Sequence, residues 1–131
     1  MSRFSGITDN PHEGRFHQKT GILLTNLGSP DAATSKAVRI YLREFLSDRR
    51  IVEIPRLIWM IILHVFVLTI RPKRSAKLYQ SIWTKDGSPL THITKLQRDK
   101  LSALLKDKGY ENTDVVMSMR YGNPSIESGL E

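Results

Sequence analysis

Apolar and polar positions along the chain change period several times, and each change marks an element. Ile22–Leu27 is a short, nearly unbroken apolar run, as expected of a strand buried on both faces. Gly28-Ser29-Pro30 then turns the chain. From Thr34 or Ser35 the period becomes helical: Val38, Tyr41, Leu42, Phe45 and Leu46 form one stripe, and Ser47-Asp48 ends it. Ile51–Arg56 reads as extended and is closed by Pro55. Leu57–Ile70 is apolar except at His64 and Thr69, and Ser75–Trp83 is again helical, with Ala76, Tyr79, Ile82 and Trp83 on its apolar side. Ser88 and Pro89 supply an N-cap and a first helical residue. Leu90, Ile93, Leu96, Leu101, Leu104 and Leu105 line the predicted buried side of that helix; Gln97 interrupts it, and Gly109 closes it.

Asp114–Met119 reads as a second strand, followed by a Gly122-Asn123-Pro124 turn and a helix start at Ser125. Strand, turn and helix therefore recur, and the expectation is the opening part of a larger α/β protein. Strand–helices–strand order with right-handed crossovers predicts two parallel strands with helices on the faces.

The apolar run Leu57–Ile70 bears on function. As a helix its 14 residues would reach only ~21 Å, short of the ~30 Å hydrocarbon core. A transmembrane span is excluded. A buried core helix and an apolar lip dipping into a membrane interface both remain. Arg49 and Arg50 before the run, and Arg71, Lys73, Arg74 and Lys77 after it, suit contact with an anionic membrane surface. Trp59 and Phe66 are the aromatic members of that lip.

Charge adds to this picture. The chain carries 20 Lys+Arg against 13 Asp+Glu, a formal net charge of +7. Nucleic acid, an anionic membrane and an acidic small ligand are the candidate partners. No helix-turn-helix or zinc-finger spacing appears and no aromatics interleave with a basic stripe, so nucleic acid is disfavoured. The absence of cysteine removes disulfides, thiolate metal sites and a cysteine nucleophile from this segment. Residues 1–19 are polar and lack an apolar h-region, and read as a flexible polar N-terminal extension to a domain over residues 20–131.

Ligands of parallel α/β sheets bind beyond the carboxyl ends of the strands. Those ends carry Asn26–Pro30 and Arg120–Pro124, which are expected to line one crevice. Arg120 brings a fixed positive charge and Tyr121 a flat ring with a hydroxyl. His12, His17, His64 and His92 show no metal-ligand spacing, and no carboxylate pair or phosphate loop appears. Residue chemistry alone gives a basic, interface-seeking domain with a site for an anion, and no reaction.

Several motifs, taken in order, closely resemble the ferrochelatase family: Gly21–Pro30, Tyr41–Arg50, Ala76–Tyr79, Gly87–Leu90 and Met119–Pro124. Each is weakly specific alone, and the ordered set is strongly so. The resemblance implies an α/β, class II chelatase-like fold, of which this chain is the first Rossmann-like parallel-sheet half, incomplete at its C-terminal end. It implies insertion of Fe2+ into protoporphyrin IX to give protohaem, with porphyrin and ferrous iron as partners. It further implies a cytoplasmic protein held peripherally at the inner membrane.

The family's catalytic His and Glu lie in the second half, so the resemblance implies no catalytic residue, no metal ligand and no required cofactor in this segment. An inactive isolated chain follows. An iron–sulfur cluster is left open. The residues implied in substrate binding are Arg71, facing a propionate, Ser88 of the Gly-Ser-Pro motif, and the Arg120–Tyr121 pair. Leu57–Ile70 falls where the family has its lip, which favours lip over core. A non-catalytic tetrapyrrole-binding or membrane-surface module is the alternative for the chain by itself.

Overall fold

Two seven-residue strands lie side by side in the computed structural model, which describes residues 19–131. β1 (Thr20–Asn26) and β2 (Thr113–Met119) pair in parallel, with Thr20 opposite Thr113 and Asn26 opposite Met119. Both predicted strands are present within two residues of their expected ends. The predicted extension over residues 1–19 lies, except for Lys19, outside the described residues. β1 is not buried on both faces: its centre is half-buried and its ends are exposed. It has one hydrogen-bonded neighbour among the described residues, so its other edge is open.

A parallel pair needs a long crossover rather than a hairpin. Here the crossover carries α1 (Ser35–Ser47), α2 (Arg56–Ile62), α3 (Leu68–Ile82) and α4 (Pro89–Asp107). A short α5 (Ile126–Leu130) follows β2. α1 starts where Thr34 Oγ1 accepts from the Ala37 N–H, and stops at Asp48, which is extended. Its predicted stripe is inward: Val38 and Tyr41 are buried, and Leu42, Phe45 and Leu46 are half-buried.

The apolar run and the following helical segment are one continuous rod from Arg56 to Ile82, rather than two helices. A π turn, Leu63–Val67, joins α2 to α3, and there the Leu68 N–H bonds to Leu63 O. Pro72 sits inside α3. It has no N–H to offer the Leu68 carbonyl, and its ring crowds that group. The π turn one turn upstream already loosens the helix at this point. α3 packs against α1; Leu68, Pro72 and Ala76 are the buried residues of α3, and Leu63 is that of the π turn. Leu57, Ile61, Phe66 and Ile70 are exposed. The same run therefore divides between core and surface by helical phase.

Trp59, one of the two aromatics of the predicted lip, is tied to the end of α1. It is half-buried, and its indole N–H donates to Leu46 O at 2.7 Å. That bond satisfies one of the carbonyls left free in the last turn of α1. Phe66 points to the exterior.

α4 begins as expected, with Ser88 Oγ accepting from the Thr91 N–H and Pro89 at the first turn. It ends with Gly109 N–H on Lys106 O and Tyr110 N–H on Leu105 O, the paired bonds of a Schellman end. Its buried side differs from the predicted one. Leu90, Thr94, Arg98, Leu101 and Leu105 form the less exposed stripe, whereas Ile93, Leu96 and Leu104 are exposed. The most buried member is a threonine, which an apolar count passes over. The Thr94 hydroxyl donates to Leu90 O and accepts from Asn26 Nδ2, so its burial leaves no polar atom unpaired.

α5 starts where Ser125 Oγ accepts from the Ser128 N–H, as its sequence predicts. Gly129 lets α5 sit down on the sheet, because a Cβ there would lie 2.0 Å from Ser118 Oγ.

Candidate functional site at the strand exits

The two strand exits meet, but not as walls of a crevice. Arg120 N–H donates to Asn26 O at 2.8 Å, and Tyr121 N–H to Leu27 O at 2.9 Å. Gly28 has φ +108°, and a Cβ on it would lie 1.8 Å from the Tyr121 carbonyl oxygen. The Tyr41 hydroxyl donates to Gly28 O at 3.1 Å. The expected crevice between the loops is thus closed, because backbone from one exit fills the space against the other.

The open space lies beside the exits. A groove of about 540 Å3 is bounded by Glu44, Ser47, Asp48, Arg49 and Arg50 from the end of α1, by Arg56, and by Arg120 and Tyr121. A neighbouring cavity of about 490 Å3 shares Ser47, Asp48, Arg49 and Arg56 and extends to Trp59. Four arginines around one groove make it a place for an anion.

Asp48 is its hub. Asp48 Oδ2 accepts from Arg120 Nη2 and from the Tyr121 hydroxyl, each at 2.8 Å, and Oδ1 accepts from the Arg50 N–H at 2.9 Å. The Arg50 N–H first, then the Tyr121 hydroxyl and the positive charge of Arg120, hold the Asp48 carboxyl below its usual value. Burial, then the bond to Asp48, pushes the Tyr121 phenol up. Both directions say that the shared proton stays on Tyr121. The Tyr121 ring meets Phe45 edge-on at 5.1 Å, and the Arg120 guanidinium lies 5.0 Å from its centroid. Burial, with the nearby Tyr79 and Glu44, pushes Tyr41 up to about 12. Glu44 accepts from the Gly122 N–H at 3.0 Å.

Of the residues singled out from sequence, Arg120 and Tyr121 stand together at this groove. Ser88 lies outside it, buried, with Ser29 Oγ donating to its hydroxyl at 2.7 Å. Arg71 is exposed on α3, also away from the groove. His64 Nδ1 is 2.9 Å from Met60 O. No group of three or more metal-ligating side chains occurs among the described residues. Sequence reasoning missed Asp48, Glu44 and Arg56. Asp48 looked like a helix stop; its signal was an acid placed directly before Arg49-Arg50.

The ferrochelatase family model matches residues 19–131. The chain belongs to the ferrochelatase family. It is 52% identical to the ferrochelatase of Chromobacterium violaceum over 93% of its length, and 56% identical to ferrochelatase 2 of Shewanella oneidensis over 86%. It is 49% identical to the ferrochelatase of Thioalkalivibrio sulfidiphilus over 98% of its length. The chain spans about a third of the length of these relatives, 34% in each case. Its parallel strands and covering helices are accordingly part of an α/β chelatase fold.

Proposed function

We propose that the full-length protein inserts Fe2+ into protoporphyrin IX to form protohaem, and that this segment supplies part of the porphyrin-binding wall. Family membership over residues 19–131 carries the reading. The groove gives it chemical content. A porphyrin is a flat ring with propionates at one edge. Arg49, Arg50 and Arg56 offer fixed cations for the carboxylates, and Arg120 and Tyr121 stand at the strand exit where the ring would approach. Insertion exchanges two pyrrole protons for the metal ion, and the groups that take those protons belong to the rest of the protein. Arg71 and Ser88 have no part in this reading.

The test is metal insertion by the full-length protein, with Fe2+ or Zn2+ and a soluble porphyrin. Arg120→Leu and Tyr121→Ala are expected to lower activity by about ten- to a hundredfold, the rate equivalent of roughly 1.5–3 kcal/mol for a lost charge-assisted hydrogen bond. Arg120→Leu should melt near wild type, whereas Tyr121→Ala empties a buried ring position and should melt lower, so its activity is read at a temperature where it is folded. Residues 1–131 alone should show no turnover above the spontaneous rate. Unchanged kinetics in both variants would remove the groove from the porphyrin site.

We infer in addition a peripheral contact with an anionic membrane on the cytoplasmic side. No helix among the described residues is long and apolar enough to cross a membrane. Phe66 and Ile70 are exposed on the rod just before Arg71, Lys73, Arg74 and Lys77, and Leu57 is exposed near its start. Exposed apolar side chains flanked by cations suit an interfacial seat. Phe66→Ser combined with Ile70→Ser should lower affinity for anionic vesicles, read by co-sedimentation, by about a hundredfold or more, since burying each such side chain is worth roughly 1.5–3 kcal/mol. Equal sedimentation of variant and wild type would dismiss the contact.

A further inference from the structure

We propose that Asp48 is a positioning residue that gives the Arg120–Tyr121 pair two chemically different sides. A carboxylate has about four acceptor sites, and three at Asp48 are taken by Arg50 N–H, Arg120 Nη2 and the Tyr121 hydroxyl. Ending α1 requires only the first of these. The other two come from residues 72 and 73 positions along the chain, and both fall on one oxygen, Oδ2.

The consequence differs for the two partners. A phenol has a single proton, and Tyr121 gives it to Asp48. What the Tyr121 oxygen still offers is lone pairs. Tyr121 is buried but lines the groove, so its oxygen can receive a donor that reaches the groove wall, such as a pyrrole N–H or water held on a cation, and cannot act as a donor to an acceptor. Arg120 has five N–H donors, and the one bond to Asp48 leaves the others free. Its side chain is 48% exposed, against 14% for Asp48, so those donors face the open groove and can take a carboxylate. Asp48 itself already accepts three bonds, so it serves these two side chains rather than a ligand. It orients a donor fork toward anions and lone pairs toward donors, side by side. The lowered Asp48 and raised Tyr121 titrations agree with this division.

The assignment of a pyrrole or metal-bound water to the Tyr121 side rests on the chelatase reading; the orienting role does not. The experiment has two arms for that reason, both on the full-length protein. In the first, Tyr ring carbons are labelled and Tyr121 is identified by its loss in Tyr121→Phe. Asp48→Asn should move the Tyr121 titration down toward the ordinary 10.0. Tyr121→Phe, which keeps the buried ring, should move the Asp48 carboxyl up toward 3.8. This second variant decides the matter if Asp48→Asn does not fold. In the second arm, Asp48→Asn should lower kcat/KM for metal insertion at least tenfold in the wild-type background. In an Arg120→Leu/Tyr121→Phe background it should cost less than twofold, because a residue acting through two others has nothing left to orient. Unmoved titrations, or the same loss in both backgrounds, would reduce Asp48 to a helix stop. Wild-type protein without insertion activity would overturn the chelatase reading, while the titrations would still decide Asp48.

Discussion

Gly28→Ala is expected to destabilise the protein by about 3 kcal/mol or more, and to disable the groove with it. At φ +108° a side chain is strained before any contact is considered, at a cost of about 1–3 kcal/mol. The added Cβ would then lie 1.8 Å from the Tyr121 carbonyl oxygen, which is backbone and cannot swing aside. Relief requires the two strand exits to part. That strains the Arg120–Asn26 and Tyr121–Leu27 backbone bonds, each worth about 1 kcal/mol net. Gly109 has a comparable φ of +88° but nothing within 4 Å, so Gly109→Ala isolates the backbone cost alone, about 1–2 kcal/mol. Urea unfolding of both variants measures the difference. Equal midpoints would mean that the exits are not in close contact.

Leu63→Ala is expected to cost about 2–5 kcal/mol, the range for a large apolar side chain removed from a filled site. Leu63 is wholly buried although it lies in the most apolar stretch of the chain. Leu57, six positions earlier in the same rod, is 77% exposed. Leu57→Ala should stay within about 0.5 kcal/mol of wild type. The pair tests whether the rod is anchored in the core through Leu63 rather than through Leu57. A Leu57 effect as large as that of Leu63 would show that the docking face is a different one.

Much of the candidate site was visible in part. Arg120 and Tyr121 were legible because a strand that ends in a cation and a phenol, just before a Gly-Asn-Pro turn, is unusual chemistry at the place where parallel sheets bind ligands. Asp48 was not legible as their partner. An Asp after a helical stripe is ordinary punctuation, and nothing local distinguishes an acid that stops a helix from one that holds two side chains from another strand. The bond that Trp59 makes was not legible for a related reason. An aromatic in an apolar run between basic flanks fits a membrane lip, and no local signal points its N–H to the free carbonyl of Leu46.

What the sequence determined alone is what neighbours a few residues apart can settle. Thr34, Ser88 and Ser125 each cap a helix by accepting from an N–H three residues on, so the helix starts were readable from side-chain type and spacing. Gly109 could close α4 because only a local positive φ was needed. Strand–helices–strand order, and motifs shared with one family, followed from the same short-range patterns. Tertiary structure decided whatever depends on which surface meets which. Helical phase across the π turn chose Leu63 for the core and Phe66 for the exterior. Packing of α4 on the sheet put Thr94, bonded to Asn26 of β1, rather than Ile93 inside. The approach of the two exits at Gly28 closed the expected crevice and moved the open site to the end of α1, where Asp48 meets residues 72 and 73 positions away. Contacts over such separations form only when the whole crossover has folded, and no local preference of the chain encodes them.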